Sequence, residues 1–415
     1  MNSFVDLAKS KGLDLEVTKC VNKSFCIEIF DGSIDKYIIN DVDSYSIKAL
    51  INDKMVSINS EILSDCLIDE LYDIAELSDN TDTDLFSSNS IIGDSLVTNN
   101  ISNTDIDIII DRINILLPKV KNIGVYIYGS GTEREILNTS DAHLLDSNFN
   151  YDYSFEVITD DNTKYISRCV NELNIDDILY DLEELVDYTI NSSNKSSIGN
   201  YSGKVLLRNN VVNAIFNSFY GHFSAYNINK GLSLFGSSFN DVIASSKLSI
   251  IEDPLNKELP GSYLFDYEGV NSTYKKIIDK GKFSSKFYNN KEAIKDKVES
   301  TGNGSIVSNI YIDKGDSTYQ ELVNELDCGI IVKDVIGVHS GINSVSGDIS
   351  LEFSGEYICN GVTKYINQVI MNVNFKDLMK NILLVGNDLV FFNEKSGAVS
   401  LLIDKVSVTG NEGSN

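Results

Sequence analysis

Asp31-Gly32 stands between two runs of alternating residues, and this pattern constrains the fold more than any other feature of the chain. Phe25, Ile27 and Ile29 alternate with Cys26, Glu28 and Phe30. Alternation of that kind places one apolar face on a strand. An Asp-Gly pair tolerates the positive φ that a two-residue hairpin turn requires. A second pair of runs, Tyr45-Ile47-Ala49 and Met55-Val56-Ser57-Ile58, is joined through Asn52-Asp53. A helix is predicted from about 60 to 78, with Leu63, Leu67, Leu71 and Ile74 on one face and Ser60 as its cap. Sheet followed by helix predicts a small α+β unit over residues 1–80.

Residues 79–103 are polar and irregular and read as a linker. Thr104, with Asp107 three positions on, predicts a second helix that ends near Pro118. Alternating stretches between 123 and 170 read as strands, and Asn174 caps a further helix. These elements predict a central α+β region over 104–200. The polar patch at 191–203 marks a boundary, and a strand-rich unit is expected over 204–415. Within it a helix covers about 209–220. Asp279-Lys280-Gly281 and Asn360-Gly361 mark turns, and Asn374 with Asp377 starts one more helix. Ser317 with Gln320 reads as a capping box, with Gly329 ending that helix. The whole is predicted to be α+β.

The formal charge is −27, from 34 basic and 61 acidic residues. Such a surface repels phosphate backbones, which excludes direct nucleic-acid binding from the expected functions. No apolar run approaches the roughly 18 residues a membrane span needs. The first residues lack the basic-then-apolar order of a secretory signal, so a cytoplasmic protein without membrane contact is expected. Cysteines 20, 26, 66, 169, 328 and 359 form no C-x-x-C pair and no zinc-finger spacing, and are expected as reduced thiols. Cys20 and Cys26 would share a face of one strand, more as a buried pair than as a metal clip. The histidines are His143, His222 and His339.

Motifs exclude more than they offer. A P-loop and H-E-x-x-H are absent. G-x-S-x-G is also missing, since Gly337-Val338-His339-Ser340-Gly341 puts its serine one place late. Ser272-Thr273-Tyr274-Lys275 fits S-x-x-K, but a chain rich in serine and lysine produces that string by chance.

Several blocks occur in order: KVLLRNNVVNAIFNSFYGHFSA at 204–225, KGLSLFGSSFNDVIASSKLSIIEDPL, GSYLFDYEGV, ESTGNG at 299–304, the stretch 340–389, and LLIDKVSVTG. Together they resemble the TldD/PmbA family across the C-terminal half, with weaker agreement in the N-terminal half. The resemblance implies a two-branch family. One branch carries an H-E-x-x-x-H zinc helix and a downstream cysteine. The PmbA branch, also called TldE, lacks those ligands. It implies a heterodimer of the two branches that degrades or trims peptides, and an indirect tie to DNA gyrase through the name modulator of DNA gyrase.

On the metal helix the motif falls on Asn217, Ser218 and His222, the vestigial metal-site positions. Catalytic zinc needs three protein ligands, an open position and a carboxylate base. Asparagine is a poor ligand, serine a poor base, and the downstream cysteine position falls in Val385-Gly386-Asn387-Asp388. No metal, cofactor or catalytic residue is therefore expected. Ligands five residues apart lie about 140° apart on a regular helix, so this spacing needs a local break, for which Gly221 is a candidate. His222 alone is expected in a hydrogen-bonded structural role.

Other residues carry plainer expectations. His339 reads as a solvated loop histidine, and Asp266 with Glu268 as a turn rather than a catalytic pair. Gly386-Asn387-Asp388 reads as a turn closing the C-terminal core. Ser300, Thr301, Gly302 and Asn303 form a polar turn, which the resemblance places near the cleft as peptide or partner contacts. Three functions follow. The first is a non-catalytic subunit that pairs with a TldD-like zinc peptidase. The second is a homodimeric or larger self-assembly that holds peptides. The third is a hydrolase with a site rebuilt around His222 and His339.

Overall fold

The computed structural model describes residues 1–78, 86–192, 196–392 and 395–410. Part of the expected linker (79–85) and part of the polar patch (193–195) lie outside the described residues.

The alternating runs at the start of the chain become long strands. β1 (Asp14–Phe30), β2 (Ser33–Ile51) and β3 (Lys54–Ser60) form a meander. Asp31 and Gly32 turn at φ 49° and 78°, Asn52 and Asp53 at 52° and 59°. Asp, Asn and Gly tolerate this left-handed backbone. β4 (Ser90–Ile92), β5 (Asn122–Asn138), β6 (His143–Ile158) and β7 (Thr163–Val170) complete one sheet in the order β3-β2-β1-β5-β6-β4, with β7 also on β6. β1 pairs with both β2 and β5, so residues on either side of the 79–103 stretch share that sheet. Two cores lie on it. α1 (Asn2–Ser10) and α2 (Cys66–Leu77) pack with Leu15, Ile47 and Val56. α3 (Asn103–Leu116) and α4 (Ile175–Asn191) pack with Ile27, Ile127 and Phe155.

Two of the expected caps are displaced. Ser60 ends β3, paired with Tyr45, because the β2–β3 ladder claims its backbone; α2 therefore starts at Cys66. The cap of α3 is Ser102, whose Oγ accepts the Asp105 N–H at 3.1 Å, two residues before the expected Thr104. Asn174 caps α4 as expected, accepting from Asp176 N at 3.0 Å.

The second half closes a ring of strands. β8 (Tyr201–Leu207) pairs with β13 (Gly329–Ile336) and β20 (Leu401–Thr409). β20 pairs with β16 (Val362–Asn374), β16 with β15 (Asp348–Cys359), and β15 returns to β13. β14 (Ile342–Asn343) and β17 (Ile382–Val385) attach to β15 and β20. A smaller sheet stands beside the ring. It runs β11 (Lys282–Phe283), β10 (Lys275–Asp279), β9 (Ile250–Glu252), β12 (Ile310–Ile312), β19 (Ser396–Ala398) and β18 (Val390–Phe391). The expected turns at Lys280-Gly281 and Asn360-Gly361 are present, all four residues at positive φ.

α5 (Asn209–Asn217) packs against β13 and β19 and so joins the ring to the smaller sheet. Its Val211, Val212, Ile215 and Phe216 are buried in the shared core. Burial of side chains of this size contributes about 1.5–3 kcal/mol each, which holds the helix in place. The remaining helices are α6 (Ala225–Asn229), α7 (Asn290–Asp296), α8 (Tyr319–Leu326), α9 (Val338–Gly341) and α10 (Phe375–Lys380). The capping box of α8 is Thr318 with Glu321 instead of Ser317 with Gln320. Ser317 instead bridges to Gly386. Asp327 caps the helix end, and Gly329 already belongs to β13.

The thiol expectation also needs correcting. Cys328 and Cys359 form a disulfide, because the β13–β15 register, with Gly329 opposite Ile358, brings their Cα atoms to 4.2 Å. Cys20, Cys26, Cys66 and Cys169 are free; Cys66 is exposed, and Cys20 and Cys26 are half-buried on β1.

Polar contacts tie the two halves together. Lys164 on β7 reaches Asp334 at 3.1 Å and Ser354 Oγ at 2.6 Å. The Arg134 guanidinium lies over the rings of Phe265 and Tyr267 and donates to the Phe265 carbonyl. Asp146 accepts the Leu264 N–H at 2.8 Å.

Candidate functional site

α5 is amphipathic in an unusual sense: one side is hydrocarbon and the other is carboxamide. Asn210, Asn213 and Asn217 recur at i, i+3 and i+7, the spacing of one helical face. They line a cleft of about 710 Å³ between β7 and the C-terminal half. Tyr165, Ile166 and Phe392 form walls, Ser218 and Tyr220 extend the floor, and the exposed His339 stands at the rim. Asn210 Nδ2 donates to the Lys333 carbonyl at 2.9 Å, and Asn213 Oδ1 accepts from Ser396 Oγ at 2.9 Å.

The α-helix stops at Asn217, and Tyr220–Phe223 forms a tighter 3-10 turn. The break therefore begins before Gly221. It sends His222 away from the cleft and into the core. His222 Nδ1 accepts the Leu234 N–H at 3.1 Å, its carbonyl accepts from Ser233 Oγ at 2.6 Å, and its ring stacks on Phe219. Burial pushes the imidazole below its ordinary value, partly offset by backbone hydrogen bonding at Ser344 and Leu232. Asn217 and Ser218 thus face the cleft while His222 does not. The Val385–Asp388 segment contacts the opposite end of α5, where the Asp388 carbonyl accepts from Asn209 Nδ2 at 3.2 Å. Asp388 itself accepts from Ser400 N and Oγ.

The polar turn 300–303 is held from within. Ser300 Oγ donates to the Tyr288 carbonyl and Thr301 Oγ1 to Asn303 Oδ1. Gly302 has φ 70°, and a Cβ there would meet the Asn271 carbonyl at 2.4 Å. Asn303 Nδ2 donates to both oxygens of Glu252, whose carboxylate also meets Lys275 Nζ at 2.8 Å. Burial pushes Glu252 up and Lys275 down; their mutual contact opposes both shifts. Asn303 also borders a second cavity of about 430 Å³, shared with Tyr220, Tyr226 and Phe287.

Asp266 is buried and accepts the N–H groups of Glu268, Val270 and Gly304, which makes it the organiser of its turn. Ser272 and Lys275 have different partners: Ser272 Oγ donates to the Tyr263 carbonyl, while Lys275 serves Glu252 and Thr301. Asn213 and Tyr220 were not singled out in the sequence. The signal that would have found Asn213 is the 210–213–217 asparagine spacing read as a helix face; Tyr220 lies past the end of that helix.

Fold and cleft define a class: a two-part α+β protein whose central helix presents amides, and no acid-base pair, to its cleft. Residues 199–410 match the family model of the PmbA/TldA metallopeptidase C-terminal domain, and the chain belongs to that family. A metalloprotease PmbA homolog of Buchnera aphidicola is 24% identical over 250 residues, 59% of this chain and 54% of that protein. The chain spans about half the length of this curated relative. Among solved structures, a Thermotoga maritima protein named as a modulator of a DNA gyrase has TM-score 0.86 at 23% identity, covering 98% of this chain and 99% of that one. TldE from Thermococcus kodakarensis has TM-score 0.85 at 16% identity, covering 99% and 100%.

The metal that the family's name implies does not fit these residues. Among the described residues no three His, Cys, Asp or Glu side chains converge on one point. His222, the one histidine of the expected motif, spends Nδ1 on Leu234. No helix among the described residues is long and apolar enough to cross a membrane.

Proposed function

We propose that this chain is a non-catalytic PmbA/TldE-like subunit of a zinc metallopeptidase complex that degrades or trims peptides. The observation that carries the reading is the fate of the motif: Asn217 and Ser218 occupy the cleft without metal donors, and His222 is committed to the core. Hydrolysis would then depend on a TldD-like partner carrying the H-E-x-x-x-H helix. An outer surface suited to a partner lies on β2. Ile34, Tyr37 and Ile39 are exposed there, and among the described residues no strand pairs with its outer edge from 33 to 44. Open apolar strand edges of this kind attract pairing. We place the complex in the cytoplasm; four free thiols support this, and the Cys328–Cys359 bridge speaks against it.

The test is co-expression with the H-E-x-x-x-H relative from the same cell, followed by size exclusion with light scattering and metal analysis. A one-to-one complex with zinc only in the partner is expected. A chain that never associates, or that carries stoichiometric zinc alone, refutes the reading.

A further inference from the structure

Tyr220 is 7% exposed, and its hydroxyl is buried with no hydrogen-bond partner among the described residues. Burial pushes the phenol above its ordinary value, so it stays protonated and keeps both a proton to donate and lone pairs to share. Leaving such a group unpaired in a folded protein is unfavourable, and native structures rarely do so. The backbone around it is pinned on both sides. Phe219 stacks on Phe375 at 3.8 Å, and Phe223, at the end of the same turn, stacks on Phe235 at 5.3 Å.

Tyr220 forms part of the wall of the second cavity, of about 430 Å³. That cavity differs from the cleft in charge. The cleft lining includes Asp334 and His339. No Asp, Glu, Lys, Arg or His lines the second cavity, although 23% of the chain is charged. Its apolar side is Tyr226, Phe287, Ile306 and Val307, and the rest is glycine, serine and asparagine. Both asparagines are engaged: Asn303 Nδ2 donates to Glu252 and to the Ile306 carbonyl, and Asn289 Oδ1 accepts the Glu292 N–H at 2.9 Å as the cap of α7. Water alone serves the Tyr220 hydroxyl poorly beside such walls, because a bound water seeks about two to four polar partners. An ionic ligand would lose its hydration there and meet no opposite charge. The Tyr226 and Phe287 rings favour an aromatic partner. The volume lies at the small end of ordinary ligand pockets.

We propose that this second cavity is a binding site for a small, neutral aromatic molecule with one hydrogen-bonding group, its ring against Tyr226 and Phe287 and that group paired with the Tyr220 hydroxyl. The site needs neither a partner subunit nor a peptide, so it stands independently of the function proposed above.

The probes are phenol and its charged counterparts benzoate and benzylammonium, titrated into the full chain and followed by saturation-transfer NMR. Saturable binding of phenol is expected, with both ions bound at least about tenfold more weakly. Tyr220→Phe should weaken phenol by about two- to tenfold, the value of one hydrogen bond. No fold-stabilising bond is lost with that hydroxyl, so the variant should keep the wild-type unfolding midpoint or exceed it. Tyr226 is 49% exposed and lines this cavity and not the cleft, so Tyr226→Ala should fold and also weaken phenol. Tyr165 lines the cleft and not this cavity, so Tyr165→Ala should leave phenol binding unchanged. The proposal is overturned by an absence of saturable phenol binding, or by phenol affinity that neither Tyr220→Phe nor Tyr226→Ala alters, which marks an adventitious additive only. Benzoate or benzylammonium binding as tightly as phenol overturns the neutral class. Sensitivity to Tyr165→Ala without sensitivity to Tyr226→Ala moves the molecule to the cleft and overturns the site.

Discussion

His222 Nδ1 accepts the backbone N–H of Leu234 at 3.1 Å, and this one bond makes the histidine a brace for the 232–235 loop. His222→Ala should therefore leave metal content unchanged and lower stability. Loss of the ring and of Leu234's partner together should cost about 2–4 kcal/mol, measured by urea unfolding. The pH dependence has a definite sign. Burial holds the folded-state value below the ordinary 6.5, so the unfolded chain takes up its proton first. The stabilisation is complete above about pH 6.5 and declines as the pH falls from there through the folded-state value. The variant should lose that part of the acid dependence. A variant with the same pH profile as wild type would remove His222 from this role.

The Glu252–Lys275 pair offers a second test. Its side chains are almost fully buried at 2.8 Å, with Asn303 and Tyr263 also bonded to Glu252. Removing one partner leaves a buried charge unpaired, so Lys275→Met alone should cost about 3–5 kcal/mol. Combining it with Glu252→Leu should recover part of that loss, because two desolvated charges disappear together. Calorimetric melting of the two single variants and the double variant decides the point. Additive losses would show that the pair is not coupled.

Legibility followed how local each cause is. Asp31-Gly32, Asn52-Asp53 and Asn360-Gly361 were readable because the positive φ of a tight turn depends on the residues in it. Asn174 and Asn374 were readable as caps for the same reason. Ser60 and Thr104 were misplaced because a ladder and a neighbouring serine competed for the helix start, and spacing alone does not rank those competitors. The pairing of β13 with β8 was not legible, since it joins segments more than a hundred residues apart. In the site, Asn217 and Ser218 were identified by likeness to a motif. Where His222 points was not, because the turn at Ser218–Phe219 that redirects it depends on Phe219 stacking against Phe375 on α10.

The Cys328–Cys359 bridge was hidden for the same reason, and it yields a count. Six cysteines are present and four are free, so denatured, unreduced protein should titrate four thiols, and reduced protein six. The bridge closes a loop of 31 residues between the ends of β13 and β15. By loop-closure entropy it stabilises by up to about 3–4 kcal/mol, less if the reduced unfolded chain keeps structure. Unfolding by guanidinium with and without reductant should show a midpoint shift in the wild type and none in the Cys328→Ser/Cys359→Ser variant. A shift that persists in the double variant would assign the reductant's effect to other groups. Six titratable thiols in the unreduced chain would mean that the strand register brings the two sulfurs together without joining them.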